Sequence, residues 1–423
     1  MAEISTFERY ADRLAGVAAA EAAGIDRAEI VKVIAELDRA VAQVDGGGFA
    51  PTPTHPQPAL GRAVGLAEQG TLWVKDETGN VSGSHKGRHL FGVALGFALE
   101  DLIARTRGDE PQQRRLAIAS CGNAALAAAV VAAATGHSLD VFVPDWADPA
   151  VVERITDLGA TVQRCARTEG MLGDPAHHAL IKAISEGATP FSCQGTETPT
   201  TIDGARTLAY ELSEQVANPL DRIVLQVGGG ALATAVVTGL AQCRPDHPMP
   251  ILHVVQPVGN HPLVRAWDRI IAGVVGQQPS ENHQRQQAAD GLGPLAPEAR
   301  ASLVAELRAD PGRFMEPWPD PPVSYASGIL DDITYDWIDI VDAMLATGGF
   351  PVVADDPTFR QAHHLAASHT GIPVCPTGAS GLAGVLVLVR DLGLSLAGEQ
   401  VAVVFSGRQR PGDPLPSGES VAG

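Results

Sequence analysis

Lys86, in the run Ser82-Gly83-Ser84-His85-Lys86-Gly87-Arg88, is one of very few primary amines in this chain. Lysine occurs only as Lys32, Lys75, Lys86 and Lys182, and the other 26 basic residues are arginine. A guanidinium stays protonated and cannot replace an amine that must lose its proton and attack a carbonyl. Small residues surround Lys86 just after an expected strand over 71–77, where a fixed amine could meet an electrophile. A lysine in a Gly/Ser-rich loop is equally well a solvated surface charge, and residue 86 alone does not decide.

Three further sites carry possible chemistry. Gln226-Val227-Gly228-Gly229-Gly230-Ala231-Leu232-Ala233 lies between an apolar strand pattern and an apolar helix pattern. Consecutive glycines there let backbone N–H groups converge on an anion, and the helix start adds its positive end. The run also satisfies G-x-G-x-x-A, the dinucleotide fingerprint. The next strand, however, ends in Gln256-Pro257, where a ribose-binding Asp or Glu is expected. A tight strand-to-helix turn without a ligand stays open. Ser120-Cys121-Gly122-Asn123 is a second strand-to-helix junction whose amides and side chains could receive a carboxylate, or could simply cap a helix. Ser406, in Phe405-Ser406-Gly407-Arg408, follows the last expected strand, at the carboxyl edge of a sheet where ligands commonly sit.

The elements that must position these groups follow from hydrophobic periodicity. Ile30, Ile34, Leu37 and Val41 mark one face of an early helix. Gly46-Gly47-Gly48 and the prolines at 51, 53, 56 and 58 read as an irregular entry segment. From Thr71 onward, short apolar strands at 72–75, 116–120, 140–144, 161–165, 190–193, 222–227, 251–256 and 401–405 alternate with helical patterns at 124–135, 151–158 and 201–215. Such alternation predicts an α/β protein of two three-layer domains with mostly parallel, twisted sheets. A smaller α/β domain is expected over 95–215, inserted into a larger one formed by 1–94 and 216–423. The stretch 276–322 reads as an insertion or lid-like excursion, and 409–423 as a disordered tail.

Composition sets outer bounds. With 30 basic against 49 acidic residues the net charge is −19, which argues against nucleic-acid or anionic-membrane partners. An anionic ligand must then be held by local donors. Cys121, Cys165, Cys193, Cys243 and Cys375 stand far apart without metal spacing, so no metal is expected, and adjacent His363-His364 would face different ways on a helix. The sparse, odd cysteines suit reduced thiols. No secretory pattern opens the sequence and no apolar run spans a bilayer, so a cytoplasmic protein is expected.

Taken in order and at these separations, the four sites resemble the pyridoxal-phosphate enzymes of fold type II, the tryptophan synthase β-chain-like group. That group includes threonine synthase, threonine and serine dehydratases and diaminopropionate ammonia-lyase. The resemblance spans roughly 50–410, and includes the run 201–211 and the segment 370–384. It implies pyridoxal 5'-phosphate as cofactor, Lys86 as the Schiff-base lysine, and Gly228, Gly229, Gly230, Ala231 and Leu232 as the phosphate cup. Asn123 would contact the cofactor's 3-oxygen, Ser120, Cys121, Gly122 and Asn123 the substrate carboxylate, and Ser406 the ring nitrogen. A small amino-acid substrate and a homodimer are likewise implied.

Departures from the group bear on the reaction. Ser84-His85-Lys86 and Ser406-Gly407-Arg408 are similar to tryptophan synthase β. Its E-T-G-A-G-Q run, with the acid that engages indole, is absent, and Ser120-Cys121-Gly122-Asn123 stands in that place. The T-G-H-G ending of threonine synthase is replaced by Ser406-Gly407-Arg408-Gln409. The expectation is a lyase acting on a small polar amino acid by α,β-elimination, with ammonia and a 2-oxo acid as products. Alternatives are a β- or γ-replacement synthase resembling threonine synthase, and a silent cofactor- or amino-acid-binding regulator. His85 is expected to pack.

Overall fold

The computed structural model describes residues 4–66, 70–168, 171 and 173–416. Its strands are β1 (Thr54–Pro56), β2 (Thr71–Asp76), β3 (Arg115–Ala119), β4 (Ser138–Pro144), β5 (Thr161–Cys165), β6 (Thr189–Pro190), β7 (Arg222–Gln226), β8 (Ile251–Pro257), β9 (Pro351–Ala354) and β10 (Gln400–Phe405). Runs such as Ile223-Val224-Leu225 and Val401 through Phe405 are apolar without alternation and fully buried, the signature of parallel strands covered on both faces. They build a six-stranded sheet in the order β1-β2-β10-β7-β8-β9, parallel except for β1, and a four-stranded parallel sheet in the order β5-β4-β3-β6.

The chain divides into two compact units, 4–52 with 79–211, and 53–78 with 212–416. The first holds the four-stranded sheet and helices α1 (Thr6–Arg9), α2 (Ala15–Ala22), α3 (Arg27–Asp45), α5 (Lys86–Arg107), α6 (Asn123–Thr135), α7 (Pro149–Asp157), α8 (Pro175–Ser185) and most of α9 (Thr200–Gln215). The second holds the six-stranded sheet with α4 (Pro58–Ala63), α10 (Ala231–Cys243), α11 (Pro262–Val275), α12 (Asn282–Leu292), α13 (Pro297–Ala309), α14 (Trp337–Thr347), α15 (Asp356–Thr370) and α16 (Ser380–Leu386). These limits differ in part from those expected: 53–78 goes with the later half of the chain, whereas 4–52 and 79–94 go with the first unit. Phe7, Ile30, Ile34, Val41, Phe49 and Phe91 share one apolar core with β3, β4 and α6, so the early helices complete the first unit.

Most expected elements are present within a residue or two. The Pro-rich entry segment is not irregular throughout: it forms β1, and the sequence reading also omitted β9. Both are edge strands containing proline, the position where a residue without an N–H costs no ladder bond. The strand expected at 190–193 shrinks to Thr189–Pro190, after which the chain turns, with the Gln194 amide donating to Ser192 Oγ at 3.1 Å. The excursion at 276–322 contains two docked helices. The Asn282 amide exchanges two hydrogen bonds with Val353 at the open edge of β9, 2.8 and 2.9 Å, and buried Arg285 pairs with Asp268 at 2.7 Å. The expected tail begins ordered, since the Gln409 amide donates to Pro373 O at 2.7 Å; residues 417–423 lie outside those described. Among the described residues no helix is long and apolar enough to cross a membrane.

Candidate active site

Lys86 is not in a loop. It opens α5, half-buried, with His85 at the cap position. The turn before it is tightly specified. Ser82 has φ 58° and Gly83 φ 70°, with the Ser82 amide held by Asp45 Oδ2 at 2.8 Å and the Val81 amide by Asn80 Oδ1 at 2.8 Å. Gly87 must lack a side chain, because a Cβ there would lie 2.9 Å from Val81 O. Two residues on, the fully buried Arg88 makes a two-pronged ion pair with Glu211 on α9, 2.9 and 2.7 Å, and donates to Thr207 and Thr52. Glu211 also accepts from Thr6 Oγ1 at 2.8 Å and the Thr52 amide at 3.0 Å, so every charged atom of the pair is satisfied. The other three lysines are placed differently. Lys75 is buried on β2 with Nζ donating to Gln215, while Lys32 and Lys182 are exposed on helices.

His89 lies one turn after Lys86, fully buried, with the His85 ring edge-on at 5.4 Å between centroids. Burial, then the charges of Lys86 and His85, hold its pKa well below the usual histidine range, so it is a neutral imidazole at physiological pH. His85 is itself buried among these groups.

Ser120 to Asn123 join β3 to α6 and are all half-buried. The Gly122 amide donates to Ser120 Oγ at 3.4 Å, and Gly122 O accepts from Leu126, making Gly122 the cap of α6. The first amides of α6 have no intrahelical acceptor. Asn123 adds a buried Oδ1 with no hydrogen-bond partner among the described residues. Within this first unit α6 packs against α5 and the Val81–Gly83 turn, which gathers the expected Lys86 and Asn123 regions.

In the second unit β7 leads through Gly228-Gly229-Gly230 into α10, with Gly230 left-handed at φ 101°. Three successive carbonyls of this loop are tied from behind. Val227 O accepts from Gln256 Nε2 at 3.2 Å, Gly228 O from Thr334 Oγ1 at 2.9 Å and Gly229 O from the Asp336 amide at 2.9 Å. A Cβ at Gly228 would stand 2.3 Å from Asp331 Oδ2 and 2.9 Å from Ile329 Cα, so only glycine fits. The amides opening α10 are thereby left as the groups able to receive an anion. Gln256 is structural: its Oε1 caps α11 by accepting from Leu263 and Val264 at 2.9 and 3.2 Å.

Ser406 is brought beside this loop by the pairing of β7 with β10, and its Oγ accepts from Gln226 Nε2 at 2.7 Å. Sequence reasoning overlooked Gln226, although a lone amide ending an apolar strand was a visible signal. It overlooked Asp331, Thr334 and Asp336 for a different reason: they lie about a hundred residues downstream, with no local motif. Cys375, close by, is no nucleophile, since burial pushes its thiol up to about 11 despite the Gly378 amide that donates to it. His363 is likewise engaged on both sides, by Tyr325 Oη at 2.8 Å and Val374 O at 2.9 Å.

Residues 46–315 match the family of pyridoxal-phosphate dependent enzymes. A serine dehydratase-like protein of Rattus norvegicus is 28% identical over 196 residues, 46% of this chain and 54% of that one. The chain thus spans about half the length of such curated relatives. Threonine synthase of Methanocaldococcus jannaschii is 21% identical over 88% of this chain and 77% of its own length. Among solved structures, maize serine racemase superposes with a TM-score of 0.59 at 19% identity, covering 90% of this chain and 94% of that one, a likeness of fold alone. The family match over most of the chain and the likeness of fold lead to one conclusion: this chain belongs to the pyridoxal-phosphate dependent enzymes, on the fold-type II scaffold.

Proposed function

We propose that the chain is a lyase that removes ammonia from a small polar amino acid by α,β-elimination, leaving a 2-oxo acid. The observation that carries this reading is the hydroxyl of Ser406, rather than a carboxylate, beside the glycine loop at the carboxyl ends of β7 and β10. The residues present suit the cofactor: close packing against Asp331 and Ile329 keeps Gly228 without a side chain, so the loop offers backbone amides alone, and Asn123 has a buried acceptor with no partner among the described residues.

Bound pyridoxal phosphate supplies an electron sink for the pair left when a substrate loses its Cα proton. The amides of Gly228, Gly229, Gly230, Ala231 and Leu232 would hold its phosphate, with help from the start of α10. Lys86 would hold it covalently through Nζ and then, as a free amine, take the Cα proton. Ser120, Cys121, Gly122 and Asn123 would receive the substrate carboxylate at the start of α6, with Asn123 also reaching the cofactor's 3-oxygen. Ser406 would face the ring nitrogen. An alcohol is too weak an acid to protonate that nitrogen fully, which moderates the sink and favours prompt loss of a β-substituent.

The test is direct. The purified protein with added cofactor should be yellow and reducible by borohydride, with the reduced adduct mapping by peptide mass to Lys86. A panel of amino acids should then yield ammonia and a 2-oxo acid. An adduct on Lys75, or no chromophore, refutes the site assignment. A second reading, β- or γ-replacement, is favoured by the long match to a threonine synthase. It would replace the lyase if product formed only when a nucleophile or a phosphorylated substrate was supplied.

A further inference from the structure

We propose that the first unit carries a second site for a small zwitterionic amino acid, apart from Lys86, in a cavity between α8 and the face of the four-stranded sheet.

The cavity follows from the residue types that meet there. Helix α8 packs on β3 and β4 through Ala176, Leu180 and Ala183, in a small apolar cluster with Ala117 and Phe142. Where the cavity lies, the helix offers Ala179 and Ala183, and the edge strand β5 offers Thr161 and Gln163. Short side chains on both sides leave a cavity of about 200 Å³, lined also by the buried Phe142. A single ordered water needs only about 10–15 Å³, so the space admits a small organic molecule.

The lining carries two charges of each sign. Arg115 pairs with Asp140 across β3 and β4 at 3.0 Å, and Lys182 with Glu186 one turn along α8 at 3.8 Å. A bare anion entering would face both carboxylates, and a bare cation both basic groups. A ligand with one charge of each sign avoids either repulsion: its carboxylate can go to Arg115 and Lys182, its ammonium to Asp140 and Glu186. The two alanines and Phe142 then accept a short apolar side chain.

This site lies toward the amino ends of the strands. Arg115 and Thr161 open β3 and β5, whereas Ser120 to Asn123 follow the carboxyl end of β3. Phe142 joins the two regions, since it lines the cavity while its carbonyl accepts from the Ser120 amide at 3.1 Å. On the reading above that the Ser120 loop receives the substrate carboxylate, occupancy should change KM for the substrate more than kcat.

L-Alanine, L-valine and L-leucine carry no β leaving group and serve as probes, titrated calorimetrically into the holoenzyme with the cofactor absorbance followed in parallel. At least one should bind with the absorbance unchanged, since occupancy of the catalytic site would perturb the chromophore. Gln163→Phe, on an exposed edge strand, fills the cavity and should abolish that binding. Arg115→Gln should weaken it about three- to tenfold, the size of one charge-assisted hydrogen bond at a partly exposed site. Both variants should keep the wild-type absorbance and the turnover seen without probe. Isobutyrate and isobutylamine, with one charge each, should not compete. Failure of all three probes to bind, binding that Gln163→Phe leaves intact, or binding only with a change in absorbance overturns the proposal. A bound probe that leaves KM unchanged overturns the coupling through Phe142. If a probe binds but no amino acid yields ammonia, the second site stands and the catalytic reading falls.

Discussion

The chain's four lysines occupy three unlike environments, and only Lys86 combines a helix start, partial burial and the neutral His89 imidazole one turn on. Lys86→Ala should abolish the borohydride adduct and lower turnover by at least about a hundred- to ten-thousandfold. Far-ultraviolet circular dichroism should be unchanged, since the Lys86 side chain makes no hydrogen bond or ion pair among the described residues. Gly228 is the second residue whose identity geometry dictates. Gly228→Ala would place a Cβ 2.3 Å from Asp331 Oδ2 and against the Ile329 backbone. The loop must shift, at a cost of about 1–3 kcal/mol. Cofactor affinity should fall with it, measured by titration alongside urea unfolding.

At the scale of elements, the first turn of α5 is held by what lies beneath it. Arg88 and Glu211 join α5 to α9, and Thr6 and Thr52 bind the early segments to the same carboxylate. Where α5 crosses α9, a Cβ on Gly92 would lie 2.6 Å from Gly204 Cα, so the helices meet backbone to backbone. Arg88→Leu would strand a buried carboxylate and should destabilise the protein by about 3–5 kcal/mol, seen as a lower midpoint in urea. A double change, Arg88→Leu with Glu211→Leu, should recover much of that loss, because the stranded charge is what costs. In the second unit the equivalent support is the trio Gln256, Thr334 and Asp336 behind the glycine loop.

Stability of the molecule as a whole should depend on pH through His253. This buried imidazole lies between the Arg222 guanidinium and Phe350 O, and burial, reinforced by Arg222, depresses its pKa to about 3. An unfolded histidine titrates near about 6.5, so between these values the unfolded chain binds a proton that the folded one refuses. The stabilisation is complete above about 6.5 and is lost progressively as pH falls toward 3. Melting temperature should decline over that window, and His253→Gln should flatten the slope. Cofactor loading should act in the opposite direction, raising stability by about 2.7 kcal/mol at a hundredfold excess over its dissociation constant. Scanning calorimetry with and without cofactor would measure it.

Much of this was legible before any coordinates. Parallel strands covered on both faces are written as unbroken apolar runs, and the strands at 222–226 and 400–405 can be read directly from them. The glycine run, Lys86 and Ser406 announce their chemistry because amine, amide and hydroxyl are intrinsic to residue type. Edge strands were hidden, because β1 and β9 are short and contain proline. The docked helices of 276–322 were hidden because Asn282 and Arg285 satisfy polar groups with partners far along the chain. The sequence by itself determined which groups are available: an amine among small residues, a run of bare amides, a hydroxyl after the last strand. Only the tertiary structure decided how each is held, since direction and partner depend on contacts between distant residues. It turned Gln226 toward Ser406 across 180 positions, set Asp336 and Thr334 behind the glycines, and buried Arg88 against Glu211 beneath the lysine.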